Sequence, residues 1–403
     1  MSDFTPYDFD QIVVALPHKD LVQGRLEHWG VAVVDVQEAP ELGLALLDLR
    51  PDEVHAAATG GTGDGDLDRL LSRLYSFFAG KYKGWVPTFG KNRTVEGVVA
   101  NHTVGGGGSG MPQQPEHTVG GGGEGVPTAV HPPSWPVHRQ HDGTGVVVAV
   151  LDTAVAARPQ LIGRFLADAD AVLPDSRETS YPADAGHGTF VSGLVLREAP
   201  GATLHIRKVL DEQGTSDSWT VARAIVALNG TGVNILNLSM GCFTDDNLPP
   251  LVLSRAIDRL DPEILVIASA GNHGVSQPGR PLWPAALVDV VAVGATRAQG
   301  GRLTWSPDPE DNPWLDVLAC GHEVESIYLA GRVDTFDKQD SSGDKQTDFA
   351  GYATWSGTSF AAARLSGMVA AAQTCNGNRC TSRDALNNLL AAADKASGLP
   401  WLH

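Results

Sequence analysis

Four side chains able to act together lie far apart in the sequence. Asp152 closes the apolar run VVVAVLD, His187 stands between glycines in AGHGTFVSGLV, Asn272 closes ASAGN, and Ser359 opens SFAAARLSGMVAAA behind Gly357-Thr358. Singly, each has an ordinary reading: Asp or Asn as a turn or cap residue, His as structural, Ser as a helix N-cap. Together they suit nucleophilic acyl transfer. A serine hydroxyl becomes a useful nucleophile when a positioned imidazole takes its proton and a carboxylate on the other ring nitrogen holds the tautomer. An amide such as Asn272 and the Ser359 backbone N–H at a helix N-terminus can then donate to the tetrahedral oxyanion.

The surrounding elements must bring these groups to one edge. VVVAVLD, NILNLS, ILVIASAGN, VVAVGAT and DVLAC are near-continuous apolar runs, as expected of parallel strands buried on both faces. Helical patterns alternate with them in TFVSGLVLREA, SWTVARAIVALNG and LPPLVLSRAIDRL. The expected fold is a doubly wound α/β domain, a mainly parallel sheet with helices on both faces and active groups at the carboxyl ends of strands. The glycines beside His187 are expected to leave its imidazole open. Ala361, Ala362, Ala363 and Gly193 are expected to let the helices carrying Ser359 and His187 approach closely.

Residues 1–100 read as a separate small α+β domain. QIVVALP and VAVVDVQ flank a helical segment, ELGLALLDL suits a hairpin with the second strand, and Leu67, Leu70, Leu71, Leu74 and Phe78 share one helix face. The sequence HTVGGGG occurs twice, from His102 and from His117, and marks residues 101–130 as a flexible Gly-rich linker. It lacks the feeding strand and the Lys-Ser/Thr of a phosphate loop. Residues 131–403 form the large domain.

The motifs in VAVLDTAV, GHGTFVSG, SAGN and GTSFAAA, in the order Asp, His, Ser, resemble those of the subtilisin-like serine peptidases, the subtilases, from about Pro133 onward. The resemblance implies a serine endopeptidase acting through an acyl-enzyme on Ser359. His187 would be the general base, Asp152 its orienting partner, and Asn272 with the Ser359 N–H the oxyanion hole. It also implies that Ser239, Met240 and Gly241 line one side of the substrate pocket and Ser269, Ala270 and Gly271 the other, walls that suggest an apolar or mid-sized side chain. Gly214 to Ser216 would border extended substrate. Neither cofactor nor metal is implied: LREAPGA joins the His helix directly to TLHIRKVL, where many family members carry a calcium-binding loop. Departures from the family are Ala154 for Gly, Ala363-Arg364 for Pro-His, and Cys320 for Pro before Gly321. A pseudoprotease that binds peptides without turnover is the alternative.

The expected partners are a peptide or protein substrate and the chain's own N-terminal domain, as inhibitor or folding chaperone. The rival role for that domain is a docking module, for which the aromatic and basic stretch Tyr82 to Arg93 is suited. With 29 Lys+Arg against 47 Asp+Glu, the formal charge of −18 disfavours nucleic acid. No apolar run has the length of a membrane span, and the opening MSDFTPYDFDQIVV lacks the features of a secretory leader, so a cytoplasmic location is expected. Cys242 and Cys320 read as buried thiols and Cys375 with Cys380 as a reduced pair. The acidic stretch Asp337 to Asp348 reads as a solvated loop.

Overall fold

A computed structural model describes residues 10–63, 65–97, 126–132, 141–174, 180–335, 346–373, 380–396 and 398–402. The repeated glycine segments, Cys375 and residues 337–345 lie outside them.

The N-terminal unit runs β1 (Gln11–Ala15), α1 (Lys19–His28), β2 (Val33–Ala39), β3 (Leu44–Leu49), α2 (Pro51–Ala57), α3 (Asp66–Lys81) and β4 (Phe89–Lys91). Its four-stranded sheet has the order β2-β3-β1-β4, with β2 and β3 antiparallel as their sequence suggested. Leu70, Leu74 and Phe78 of α3 are buried against that sheet.

The chain continues through β5 (Thr94–Gly97), β6 (Thr128–Ala129), β7 (Val147–Asp152), β8 (Val155–Ala156), β9 (Phe165–Ala167), β10 (Val172–Leu173) and β11 (Tyr181–Pro182). Next come α4 (His187–Glu198), β12 (Thr203–Lys208), β13 (Thr215–Asp217), α5 (Ser218–Val226), β14 (Ile235–Leu238), β15 (Met240–Gly241) and α6 (Leu251–Arg259). The last elements are β16 (Leu265–Ser269), β17 (Val290–Thr296), β18 (Val317–Cys320), β19 (Val324–Asp334), β20 (Gln346–Trp355), α7 (Thr358–Ala372), α8 (Ser382–Ala392), β21 (Asp394–Ala396) and β22 (Leu399–Leu402).

A nine-stranded sheet in the order β21-β22-β18-β17-β16-β14-β7-β12-β9 forms the centre, parallel throughout except for the terminal β21–β22 pair. The apolar runs are these strands, and their alternation divides the core. Val148, Val150, Ile235 and Ile267 face α4 and α7, whereas Ala149, Leu151, Leu236 and Val266 face α5 and α6. From β7 the chain crosses by α4 to β12 on one side and then by α5 to β14 on the other. The order therefore reverses at β7, where a crevice opens beyond the carboxyl ends of the strands.

The N-terminal sheet covers α5 and α6. Period two sends Ile12 and Val14 into that unit's own core, while Val13 and Ala15 share a cluster with Ala222, Ile225, Val252 and Ala256. Asn92, only 4% exposed, ties the joint. Its Oδ1 accepts from Ser218 Oγ (2.9 Å) and Trp219 N (3.0 Å), and its Nδ2 donates to Asp217 Oδ1 (2.9 Å), so it shares the capping of α5. Residues 128–129, inside the stretch expected to be tether, pair with β20.

One expected close approach is reassigned. Gly193 faces β19, since a Cβ there would meet Ser326 Oγ and stand 2.5 Å from Ile327 Cγ1. The glycine between the helices is Gly367, whose Cβ would stand 2.6 Å from Val195 O and 2.7 Å from Glu198 Cβ. Ala361, Ala362 and Ala363 are fully buried in the core beside it. Arg364 departs from the family pattern usefully: its Nε donates to Glu198 Oε1 at 2.8 Å and joins the end of α4 to α7. Gly367→Ala would gain about 1 kcal/mol of helix propensity but lose about 1–3 kcal/mol to overpacking. Because the obstruction includes a backbone carbonyl, the clash falls in the upper part of that range: denaturant unfolding should report a net loss of up to about 2 kcal/mol, and a variant more stable than the parent would contradict this packing.

Candidate active site

Asp152 is the last residue of β7 and is fully buried. Its Oδ1 accepts from Thr153 N at 2.7 Å and lies 2.7 Å from His187 Nδ1. That contact makes Nδ1 the protonated nitrogen and leaves Nε2 as the lone-pair nitrogen. Among the described residues, buried Nε2 has no hydrogen-bond partner. Thr153 fixes the helix carrying His187: its hydroxyl accepts from Gly188 N (2.9 Å) and donates to Ala185 O (3.2 Å), satisfying a donor at the start of α4.

The glycines around His187 do not open it to solvent as expected; the side chain is 2% exposed. They permit close approach instead, because a Cβ on Gly186 would run into the Tyr328 ring and one on Gly188 into Thr153 O. The imidazole packs against Trp355 (centroids 5.9 Å, edge-on) and Phe360 (5.6 Å). These two aromatics escaped the reading of the sequence, although both flank Ser359 in WSGTSF.

Ser359 is the second residue of α7 and is buried, with Oγ donating to Ser239 O at 3.2 Å. Asn272 sits beyond β16, and its orientation follows from its partner: Thr358 N–H donates to Oδ1 at 3.0 Å, which makes the other terminal atom the NH2 group. That Nδ2 is buried and has no partner among the described residues. Thr358 also accepts from Gly271 N through its hydroxyl, 3.0 Å, and so ties the Asn272 loop to the start of α7. Nothing in the sequence distinguished Thr358 from an ordinary helix-start residue. The structure thus brings Asp152, His187, Asn272 and Ser359 together at the carboxyl edge of the sheet.

The two stretches expected to line substrate also meet the start of α7. Ser239 donates to Ser359 O (3.1 Å) and accepts from Asn237 Nδ2 (2.9 Å), so its hydroxyl serves the scaffold. The side chains of Met240 and Ala270 belong to the α5–α6 core. Ser269 Oγ is buried with no partner among the described residues. Beyond Gly271 (φ 98°) stands His273, which donates from Nε2 to Arg280 O at 3.1 Å.

The profile of the subtilase family matches residues 143–400, more than half of the chain. The chain belongs to the subtilase family. Within it, this subtilase is 31% identical over 237 residues to a thermostable alkaline protease of Halalkalibacterium halodurans, covering 57% of this chain and 56% of the relative. It is 32% identical over 196 residues to subtilisin Savinase of Lederbergia lenta, covering 46% and 67%. The alignments thus span about half of the first of these relatives and two thirds of the second. Among solved structures, the prenylagaramide maturation protease PagA is similar with a TM-score of 0.50 and 26% identity, covering 66% of this chain and 92% of PagA. The protease domain of PatA shares the fold, with a TM-score of 0.52 and 23% identity over 66% and 95% of the two chains.

The departures of this subtilase leave the site standing. Ala154 is buried in the core, and among the described residues only Lys83, Asn247 and Glu323 combine a side chain with positive φ. Beside Cys320, Gly321 O accepts from Gly357 N at 2.9 Å, holding the turn before α7. Burial pushes the Cys242 thiol up to about 12, so it behaves as a small apolar side chain.

Burial also pushes His273 down to about 4, aided by neighbouring Arg280 and opposed by its hydrogen bond to Arg280 O. A neutral His in the fold and a normal His in the unfolded chain cost nothing above pH 6.5. As pH falls from there to about 4, the unfolded chain binds the proton first and stability is lost. The loss approaches about 3 kcal/mol at 1.36 kcal/mol per unit. Urea unfolding at pH 7 and 4.5 should therefore show His273→Gln losing about 2 kcal/mol less than the parent; equal losses would contradict a buried neutral His273.

Proposed function

We propose that the chain is a serine endopeptidase. The observation that supports this best is a pair of complementary buried groups left open in one crevice: the lone pair of His187 Nε2 and the NH2 of Asn272. In the reaction Ser359 Oγ leaves the Ser239 carbonyl, gives its proton to His187 Nε2 and attacks the carbonyl carbon of the scissile bond. The oxyanion accepts from Asn272 Nδ2 and from Ser359 N–H at the α7 N-terminus, while Asp152 stabilises the imidazolium. His187 then protonates the leaving amine, and water hydrolyses the acyl-enzyme by the same steps. Extended substrate would run between β13 and β15, with Ser239–Gly241 and Ser269–Gly271 flanking the side chain at the cleavage point. A cytoplasmic location accords with the free buried thiols Cys242 and Cys320.

The N-terminal unit acts, on this reading, as both inhibitor and folding aid. Its strand β5 occupies the middle of a three-stranded sheet, β13-β5-β15, with Ser216 opposite Val95 and Met240 opposite Gly97. Gly97 N donates to Gly214 O at 2.8 Å. An antiparallel strand in that groove has the form of substrate, because edge pairing reads main chain. It also excludes a competing peptide. Of the stretch Tyr82 to Arg93, whose rival role is docking, Asn92 and Arg93 bind the start of α5, whereas Tyr82 and Trp85 are exposed.

A fluorophosphonate should label Ser359, and Ser359→Ala should abolish both labelling and peptide hydrolysis; turnover by that variant would overturn the assignment. Asn272→Ala should lower kcat by about 10²–10³, the size known for the corresponding donor of subtilisin, with little change in KM. Deleting residues 1–126 should reduce the yield of folded, fluorophosphonate-reactive protein, and an undiminished yield would rule out a folding role for the N-terminal unit.

A further inference from the structure

We propose that Leu282 sets the cleavage preference of this site by filling the slot between its two walls, so that the residue contributing the scissile carbonyl must be glycine, alanine or similarly small. The inference rests on the peptidase reading of Ser359. One wall begins at Ser239, whose carbonyl meets Ser359 Oγ, and passes to Gly241. The other ends at Gly271, next to Asn272. An acyl group on Ser359 with its oxygen at Asn272 directs its side chain between them.

That space is already occupied. A Cβ on Gly241 would stand 2.6 Å from Leu282 Cγ and 2.7 Å from its Cδ2, and a Cβ on Gly271 would stand 3.1 Å from the same Cδ2. The isobutyl group therefore lies against both walls: at Gly241 it leaves no room for a Cβ, whereas at Gly271 (φ 98°) His273 Nδ1 at 2.7 Å is the nearer obstacle. Leu282 is fully buried against Phe243, with Trp314 packed on the pair.

Its backing resists displacement. Cys242 and Trp283 exchange two backbone hydrogen bonds (2.9 and 3.0 Å), and the Trp283 indole donates to Thr244 Oγ1 at 3.2 Å. On the far side the His273 ring stands edge-on to Phe243 at 4.8 Å, and the Arg280 guanidinium lies over the other ring's face at 4.4 Å. A substrate aromatic buries about 150–250 Å², for which this slot has no depth. The mid-sized preference suggested by wall composition is thereby narrowed, because composition of the walls said nothing of a side chain arriving from a later loop.

The test uses the purified full chain, with active sites counted by fluorophosphonate labelling, and peptides differing only in the residue before the scissile bond: Gly, Ala, Val, Leu and Phe. Per labelled site, kcat/KM for Ala is expected to exceed that for Phe by at least about tenfold, as steric exclusion from a shaped pocket produces. Leu282→Ala should raise the Phe-to-Ala ratio by about 10–100-fold, and the milder Leu282→Val should move it in the same direction if the larger truncation fails to fold. A parent that labels at Ser359 yet cleaves after Phe or Leu as well as after Ala overturns the inference while leaving the peptidase reading intact. Ratios unmoved in folded, labelled Leu282 variants overturn it equally. Absence of labelling and of hydrolysis of every peptide, both in the full chain and after proteolytic removal of its N-terminal unit, overturns the peptidase reading, and this inference with it.

Discussion

The buried bond between Asp152 and His187 is the constraint around which the large domain is arranged. A carboxylate with no exposure needs hydrogen bonds and a compensating partner, or its charge is too costly to keep from water. Thr153 N and His187 Nδ1 supply two hydrogen bonds to Oδ1, while buried Oδ2 has none among the described residues. Meeting that need places α4 directly over the end of β7, which in turn requires Gly188 to lie against Thr153 and Gly186 against Tyr328. The aromatic packing of Trp355 and Phe360 then fixes the face of the imidazole, and those residues belong to the segment that delivers Ser359. One polar contact thus determines how two crossover helices must meet.

The second constraint is the distance between those helices. Small residues on α7 and the absence of a side chain at Gly367 let its axis approach α4, and the Arg364–Glu198 pair joins the middle of α7 to the C-terminal end of α4. Thr358 performs the same office at the near end by holding Asn272 with its N–H and Gly271 with its hydroxyl. Geometry of this kind favours catalysis because donors fixed in advance need no reorganisation when charge develops.

The N-terminal unit depends on the same domain from outside. Its sheet has two apolar faces and only one set of its own helices, so the second face is satisfied only against α5 and α6. Docking there delivers β5 between β13 and β15, next to Ser239, whose carbonyl accepts from Ser359. The cover over the crevice is therefore a consequence of how a small domain completes its core.

Much of this was legible in the residues. The apolar runs are the parallel strands, Leu70, Leu74 and Phe78 of the expected stripe are buried along α3 with Leu67 and Leu71 partly so, and Asp152, His187, Asn272 and Ser359 stand at the expected ends of strands and starts of helices, because periodicity and punctuation are local properties of a chain. The long β19–β20 hairpin was not read, since its broken alternation and register shift at Ile327 and Ala330 obscure the period. Gly193 and Gly367 could not be told apart by sequence: a glycine shows that space is scarce, not which element takes it. Nor could Leu282 be assigned to the slot between Gly241 and Gly271, which follow different strands and meet it only when the chain is folded. The sequence by itself determined which side chains the candidate site holds and the secondary elements that carry them, through side-chain type and spacing. Burial of His187, the partner of Arg364, the path of β5 and the place of Leu282 beside Gly241 and Gly271 were decided only by tertiary structure, because each depends on contacts between segments far apart in the chain.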